Sequence, residues 1–520
     1  MAAQSKKQNR WVWKVRISGL LRAVIVAILV LIQFLFILYL SVWLREKTIY
    51  YYTLVTVASY LVIISLVNDS RSVSYKVSWI TIVLLLPVSG HVMYVLWGQS
   101  SSYGKVSSEI RRRIGYGYDF CTYSEATMNR YEELYRNQCR IARYLESKHF
   151  PLYKNNQLSY YGMGEDAFEA IFEDLKQAKH YIFINFYIVA EGRLWERMHA
   201  ILKERLAEGV EVRFLYDDFG AMFRTSKYFR DELEEEGIQV RIFNPIHKYT
   251  SQLYMNYRSH QKLVIVDGEV AYTGGINLAD EYANLITRFG VWKDAAIRVR
   301  GEAAWGFAIC FLQMWDATEP KTLFSDYLKY RPNAIFAEND TFCQVFTDGP
   351  AIRDNSAENV YHQMANTAQK ILYIATPYLI IDEKLRDALC FAARSGIDVR
   401  IITPGIPDKK MVKILTNYNY GSLLQSGVRI YEYTPGFLHS KIIMNEKSAV
   451  VGTINMDYRS FYLHYEDGAM VSEEAFLEAV RADFEKTFAE SKEMTYADWL
   501  KRPLRWKIVQ PLLNLGATLM

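Results

Sequence analysis

His260-Gln-Lys262-Leu-Val-Ile-Val-Asp267, followed after a turn by Gly274-Gly275-Ile276-Asn277, decides how this chain folds. The apolar residues after Lys262 predict a buried strand, and those after Asp267 predict its hairpin partner. Side chains at i and i+2 of a strand share a face, so His260 and Lys262 point the same way. Asn277 returns on the neighbouring strand. The pattern recurs at His439-Ser440-Lys441, followed by an apolar run and Gly452-Thr453-Ile454-Asn455. One such triplet can arise by chance; two with nearly the same downstream pattern predict a duplicated unit.

Working outward, the flanking segments repeat as well. In the first half, Tyr181 to Val189 predicts a strand, and Leu194 to Leu206 a helix ending at Gly209. Val210 to Leu215 is a strand, and a further helix ends at Gly237 before the strand Ile238 to Phe243. In the second half, Ile371 to Ala375 is a strand and Glu383 to Arg394 a helix ending at Gly396. Ile397 to Ile402 is a strand, and another helix ends at Gly427 before Val428 to Tyr433. Alternating strands and helices predict a mixed α/β domain in each half. Two such halves related by pseudo-two-fold symmetry bring both His-x-Lys stretches to one site. The domain expectations are a membrane anchor over 1–103, a helical connector over 104–155, α/β domains over 156–335 and 336–490, and a C-terminal amphipathic tail over 491–520.

The N-terminal anchor rests on three apolar runs. Ala23 to Leu44 carries no charge and is long enough to cross a bilayer as a helix. It lacks the short apolar region and small-residue cleavage site of a secretory signal, so an uncleaved anchor is expected. Tyr50 to Val67 is a second run; Val77 to Trp97 is a third, interrupted by Pro87 and Gly90. Basic residues precede the first run and follow the third (Lys105, Arg111, Arg112, Arg113), which places the catalytic part on the cytoplasmic face of a multi-pass cell-membrane protein if one run does not span. Net charge is only +4 among 520 residues, so bulk charge implies no nucleic-acid partner. The five cysteines are scattered without metal-ligand spacing, so neither a zinc site nor a disulfide framework is indicated.

Two His, two Lys and two Asn converging on one cleft suit a tetrahedral anion. Lys supplies charge and Asn an amide donor; together they cradle a phosphoryl group and stabilise charge developing on it. One His attacks phosphorus and the other protonates the leaving alcohol. Each His needs an acid to fix its tautomer. Asp294 and Glu466 lie at similar distances downstream, and the expectation from order along the chain is Asp294 for His260 and Glu466 for His439.

These residues closely resemble the phospholipase D superfamily, whose signature is HxK, four residues, D, six residues, GG or GT, one residue, N. More narrowly, the chain is similar to the bacterial cardiolipin synthases, through LLLPVSG at 84–90, YDDFG at 216–220, NYRSHQK at 256–262, RFGVWKD at 288–294 and FLQMW at 311–315. TPYLIIDEKL at 376–385, IPDKK at 406–410 and GTINMDYRSF at 452–461 extend the likeness over nearly the whole chain. The resemblance implies two phospholipase D-like αβ(α) sandwich domains. It implies a phosphatidyltransferase that joins two phosphatidylglycerol molecules into cardiolipin and releases glycerol through a phosphatidyl-histidine on His260, with His439 as acid and then base. No cofactor or metal is implied. Partners are then phosphatidylglycerol and other anionic membrane lipids, and not nucleic acid; a homo-oligomer is compatible. The catalytic candidates are His260, Lys262, Asp267, His439, Lys441 and Glu446, with Asn277 and Asn455 on the phosphate.

In one respect the second copy departs from the signature. Lys441 to Gly452 is one residue shorter than Lys262 to Gly274, so the Asp position falls on Glu446, or on Asn445 counting back from Gly452. A shortened hairpin turn explains this if that Asp is structural. Two lesser features carry an expectation of lipid contact: Arg502, Arg505 and Lys507 among Trp499, Leu504, Trp506 and Ile508, and Asp408-Lys409-Lys410 near the site entrance. The competing activities are hydrolysis, transfer to another alcohol, and, in other classes, a membrane-tethered nuclease or a lipid-binding scaffold. A scaffold predicts a degenerate His or Lys in one copy, and neither copy has one.

Overall fold

The computed structural model describes residues 28, 31–35, 39, 48–69, 73–98, 105–245, 257–319, 321–352 and 355–517. Most of the first apolar run, Ala23 to Leu44, lies outside them. The chain divides into two compact units, Lys105–Gln510 and Met1–Gly104 with Pro511–Met520.

In the smaller unit, Thr48–Val67 is a helix, and its Ile49–Val67 stretch is long and apolar enough to cross a membrane. The third run is not one helix. It forms Val73–Leu85, breaks at Pro87, and resumes as Ser89–Met93 and a wide turn over Tyr94–Gly98. Proline lacks the N–H that would continue the ladder. Gly90 then passes so close to Ile82 that a Cβ there would lie 2.5 Å from the Ile82 carbonyl oxygen. Trp79 packs edge-on against Tyr94, with ring centroids 5.4 Å apart.

Among its described residues the larger unit contains two large sheets and two two-stranded ones. The strands of its first half are β1 (Leu152–Tyr153), β2 (Asn156–Tyr161), β3 (Tyr181–Phe186), β4 (Glu211–Asp217), β5 (Gln239–Phe243), β6 (Arg258–Ser259), β7 (Leu263–Val266), β8 (Val270–Gly274), β9 (Val291–Lys293) and β10 (Ala296–Gly301). Those of the second half are β11 (Cys343–Asp348), β12 (Ile371–Ala375), β13 (Leu379–Ile380), β14 (Asp398–Pro404), β15 (Arg429–Tyr433), β16 (Gly436–Leu438), β17 (Ile442–Asn445), β18 (Ala449–Gly452), β19 (Met456–Asp457), β20 (His464–Val471) and β21 (Ser491–Met494). One large sheet runs β2-β10-β8-β7-β3-β4-β5, and the other β1-β11-β20-β18-β17-β12-β14-β15-β21 with β6 paired to β20. Strand for strand, β10-β8-β7-β3-β4-β5 and β20-β18-β17-β12-β14-β15 follow the same order. In both, the last three strands are parallel and the hairpin of the His-x-Lys motif is antiparallel to them.

Local chemistry explains the elements. Glycines 209, 237, 396 and 427 all have positive φ just past a helix end, the backbone state that glycine adopts without a steric penalty. β7 is buried on both faces and divides its side chains by parity. Leu263 and Ile265 enter a core with the helix Ala303–Thr318, while Val264 and Val266 pack on the side of Gly164–Lys176 and Arg193–Ala207. The central core takes Ile442, Met444, Ala449 and Val451 from the second sheet as well, so both sheets share it. Burying one such Ile or Leu is worth roughly 1.5–3 kcal/mol.

The two motif hairpins differ only at the turn. β7 and β8 pair Val266 with Val270 across Asp267-Gly268-Glu269, whereas in the second copy the Asn445 N–H bonds the Ser448 carbonyl across Glu446-Lys447. Asp267 and Gly268 have positive φ; the second, tighter turn has no such residue, and Asn445 Oδ1 instead accepts from the N–H groups of Lys447 and Ser448. The missing residue is therefore absorbed at the turn, and Lys441 and Gly452 stay in register.

Candidate active site

Two short parallel pairings between the halves bring the motifs together. β6 pairs with the start of β20, Arg258 opposite His464 and Ser259 opposite Tyr465. β16 pairs with β9, Phe437 opposite Trp292 and Leu438 opposite Lys293. One residue beyond each register lie His260 beside Glu466, and His439 beside Asp294. The backbone fixes this: the His260 N–H donates to the Tyr465 carbonyl (2.8 Å), and that of His439 to the Lys293 carbonyl (2.7 Å). His260 Nδ1 is 2.8 Å from Glu466 Oε2, and His439 Nδ1 is 2.7 Å from Asp294 Oδ2. The expected pairing is thus corrected. Asp294 does not orient His260, nor Glu466 His439; each half supplies the acid for the histidine of the other. Chain order could not show this, because parallel pairing between the halves sets the registers.

The two acids are braced differently. Glu466 also accepts from the hydroxyls of Thr453 (2.6 Å) and Ser460 (2.7 Å). The shorter Asp294 accepts from the Ala295 N–H (2.8 Å) and lies where a Cβ on Gly275 would sit, 1.9 Å from Asp294 Oδ1. Gly in the first motif and Thr in the second therefore match Asp and Glu, by carboxylate length.

The lysines are buried beside their histidines. Lys262 Nζ donates to the His260 carbonyl (2.5 Å), and Lys441 Nζ contacts both the His439 carbonyl and, at 2.7 Å, His439 Nδ1. Burial lowers Lys262 to about 8, against partial support from Glu466, and Lys441 to about 7, against support from Asp294. Burial and the neighbouring lysines push His260 well below the ordinary imidazole value and His439 down to about 4. Burial would raise Asp294, but the charges of His439 and Lys441 outweigh it and hold this carboxyl below its usual range. Both imidazoles are therefore neutral at pH 7, with Nδ1 facing the carboxylate and Nε2 left for chemistry. Asn277 Oδ1 accepts from the Ile188 N–H (3.0 Å), and its Nδ2 has no hydrogen-bond partner among the described residues. Asn455 is also buried, its N–H donating to Ser460 Oγ (3.2 Å).

Asp267 and Glu446, counted among the catalytic candidates, lie elsewhere. Asp267 accepts from the N–H groups of Lys179, His180 and Tyr181, each at 2.8 Å. Glu446 accepts from those of Gln369, Lys370 and Ile371. Both carboxylates fasten the entry to β3 or β12, at the far end of a four-residue strand from the catalytic lysine. That separation, roughly 16 Å at about 3.3 Å per strand residue, removes them from the chemistry. Glu446 fills the Asp position, with one more methylene to span the shorter turn.

Several supporting residues were not singled out from sequence. Thr453 and Ser460 are small hydroxyl residues whose role depends on an acid from a distant strand. Asp217, in the quoted YDDFG, is fully buried and accepts from Phe219, Gly220 and Ser259 N–H groups. It lies 3.5 Å from the buried Arg258 guanidinium, so it anchors the strand that delivers His260. Asp217→Ala removes the buried carboxylate beside that cation and is expected to cost about 3–5 kcal/mol, read as a fall in Tm; an unchanged Tm excludes the anchoring role. His464 stands outside both motifs, yet its ring lies 5.3 Å from that of His260, and burial lowers it to about 3. Tyr187 closes the other side of His260, edge-on at 5.1 Å. Of the two lesser features, Asp408 accepts from the Tyr378 hydroxyl (2.7 Å), and Arg502 stacks on Trp499, whose indole N–H bonds the Asn417 carbonyl. Leu504 and Ile508 are exposed.

Comparison with known proteins agrees with this architecture. The family model described as "Cardiolipin synthase, PLD-like domain" matches twice, at residues 171–290 and 361–488, and "Phospholipase_D-nuclease N-terminal" matches 56–99. A cardiolipin synthase of Geobacillus kaustophilus is 32% identical over 467 residues, covering 87% of this chain and 90% of the relative. One from Geobacillus sp. strain WCH70 is 36% identical over 359 residues, 69% of this chain and 71% of the relative. Among solved structures, a phosphatidylserine synthase of Haemophilus influenzae shares the fold, with a TM-score of 0.56 and 16% identity over 74% of this chain and 98% of that one. With likeness at this level along most of both chains, and both histidine motifs intact, the chain belongs to the cardiolipin synthase family of phospholipase D-like proteins.

Proposed function

We propose that the chain is a cardiolipin synthase, a phosphatidyltransferase that takes phosphatidylglycerol as both donor and acceptor. The reciprocal His260–Glu466 and His439–Asp294 pairs over two buried lysines carry this reading. Together with the shared strand order, they support a pseudo-two-fold relation between the halves. His260 Nε2 attacks the donor phosphorus. The P–N bond forms as the bond to the glycerol oxygen breaks, and His439 gives its Nε2 proton to the departing glycerol. A second phosphatidylglycerol hydroxyl then passes its proton to His439 and attacks phosphorus, releasing cardiolipin and free His260. For the first step His439 must be protonated; the bound phosphate anion favours its charged form, against the burial that keeps it neutral in the free site. Lys262, Lys441, Asn277 and Asn455 hold the non-bridging oxygens. The additional hydroxyls on Glu466 support His260 as the nucleophile, since its acid is the more firmly held.

The domains are taken as 156–335 and 336–490, with 104–155 as connector, 491–520 as tail and an anchor over 1–103. The helix Thr48–Val67 spans the membrane, the broken third run re-enters it, and the catalytic part faces the cytoplasm. Reconstitution with labelled phosphatidylglycerol tests the activity: cardiolipin and glycerol are expected together, and phosphatidic acid as sole product means hydrolysis instead. The lysines set the alkaline limb. Raising the pH strips protons from Lys441 near 7 and Lys262 near 8, removing the charge that holds phosphate. The kcat/KM profile, which reports the free enzyme, should fall across that interval; a flat profile there rejects the cationic role.

A further inference from the structure

The pairing of His260 with Glu466 leaves one neighbouring group without a task. His464 is buried, and its Nδ1 lies 3.6 Å from Glu466 Oε1, outside hydrogen-bond reach, with no hydrogen-bond partner among the described residues. In the other half, the position two residues before the acid is Trp292, which packs its ring 5.6 Å from His439 and offers no ligand atom. The site is therefore asymmetric among the described residues, with a second imidazole, and hence a third ligand, on the His260 side.

We propose that His260, His464 and Glu466 form a binding site for a divalent transition cation such as Zn2+, which, when bound, switches off the nucleophile. One ligand atom from each residue lies within 4.8 Å of the others. His260 Nδ1 lies 2.8 Å from Glu466 Oε2 and His464 Nδ1 3.6 Å from Glu466 Oε1, so the two imidazoles flank one carboxylate at separations near the roughly 3.4 Å between donors around a tetrahedral zinc. Two imidazoles and one carboxylate, with a fourth position open to water, are a set that zinc accepts. The cation takes the Nδ1 lone pair of neutral His260, so the ring proton moves from Nδ1 to Nε2 and the attacking nitrogen no longer has a free lone pair. The carboxylate then serves the metal and no longer orients His260 for attack. The His439 side lacks the third ligand and remains metal-free.

The test uses the full-length protein in detergent micelles, titrated with Co2+ as a spectroscopic probe and then with Zn2+ in competition. One Co2+ per chain is expected, with the visible bands of a low-coordinate site, lost on stoichiometric displacement by Zn2+. His464→Gln and His260→Asn should each weaken binding by at least the 10–100-fold that losing even an outer partner costs, while His439→Asn should leave it unchanged. Failure of the wild-type protein to bind, or equal binding by either His464→Gln or His260→Asn, overturns the site. In the lipid-transfer assay, Zn2+ should inhibit and a chelator restore activity. Because the Co2+ spectrum does not depend on the lipid substrate, it distinguishes failure of this site from failure of the proposed activity.

Discussion

His260→Ala is expected to abolish both cardiolipin formation and the covalent phosphatidyl-enzyme. The neighbouring His464 Nδ1 lies 3.6 Å from Glu466, outside hydrogen-bond reach, so among the described residues His260 is the imidazole on that side of the cleft whose Nδ1 a buried acid holds. Removing a nucleophile from a coupled set of this kind typically lowers turnover by about 10^4-fold or more. His439→Ala should lower overall turnover comparably, but with a different intermediate. Without an acid the first step is slow, and without a base the second is slower still, so any phosphatidyl-His260 that forms persists. Quenching with labelled phosphatidylglycerol and mapping the labelled peptide separates the two. A label retained in His260→Ala and lost in His439→Ala reverses the assignment of nucleophile and acid. Because phosphohistidine is acid-labile, the quench must be alkaline.

The second large effect concerns the exchanged acids. Glu466→Gln keeps the shape of the group but removes the charge that holds His260 as the Nε2-reactive tautomer. Asp294→Asn does the same to His439. Comparable changes of an orienting carboxylate cost about 10^4-fold in turnover where the imidazole adopts the wrong tautomer. Their placement makes the signature specific. Glu466→Gln should slow formation of the phosphatidyl-enzyme, the step in which His260 attacks. Asp294→Asn should slow its breakdown most, the step in which His439 acts as base. Single-turnover kinetics on the two variants reads this directly. The opposite assignment of steps would indicate that the acids serve the histidines of their own halves, against the 2.8 and 2.7 Å contacts seen here.

Much of this architecture can be read in the amino-acid order because the signals are local. The elements of the second half coincide closely with expectation: Ile371–Ala375 and Glu383–Arg394 form as read, since β-branched residues favour the strand and Gly396 ends the helix turn. The first half shifts by one to three residues, the most at the strand from Tyr181, which stops at Phe186 and not at Val189. The third apolar run was legible as broken, since Pro87 cannot donate the N–H of a continuous helix. The turn deletion was legible as well, because strand registers tolerate a lost residue only where no pairing is interrupted.

Motif residues and their pairing are different matters. His260, Lys262, His439, Lys441, Asn277 and Asn455 are identifiable because each stands at a fixed step from the others along one hairpin, and strand periodicity alone sets their facing. Asp267 and Glu446 stand in the same motif, yet only the structure shows that they fasten backbone N–H groups of a neighbouring strand. Asp294 and Glu466 could be named as acids but not matched to a histidine. The match depends on β6 lying beside β20 and β9 beside β16, contacts between residues about 145 and 206 positions apart. Thr453 and Ser460, His464, and the buried Asp217 beneath β6 are likewise defined by which distant element packs against them. The chain order thus determined the strands, the duplicated motif and its phosphate chemistry, all of which depend on short-range periodicity. Only the tertiary structure decided which half serves the other, because hydrogen-bond register between separate segments is a property of their packing and not of either segment alone.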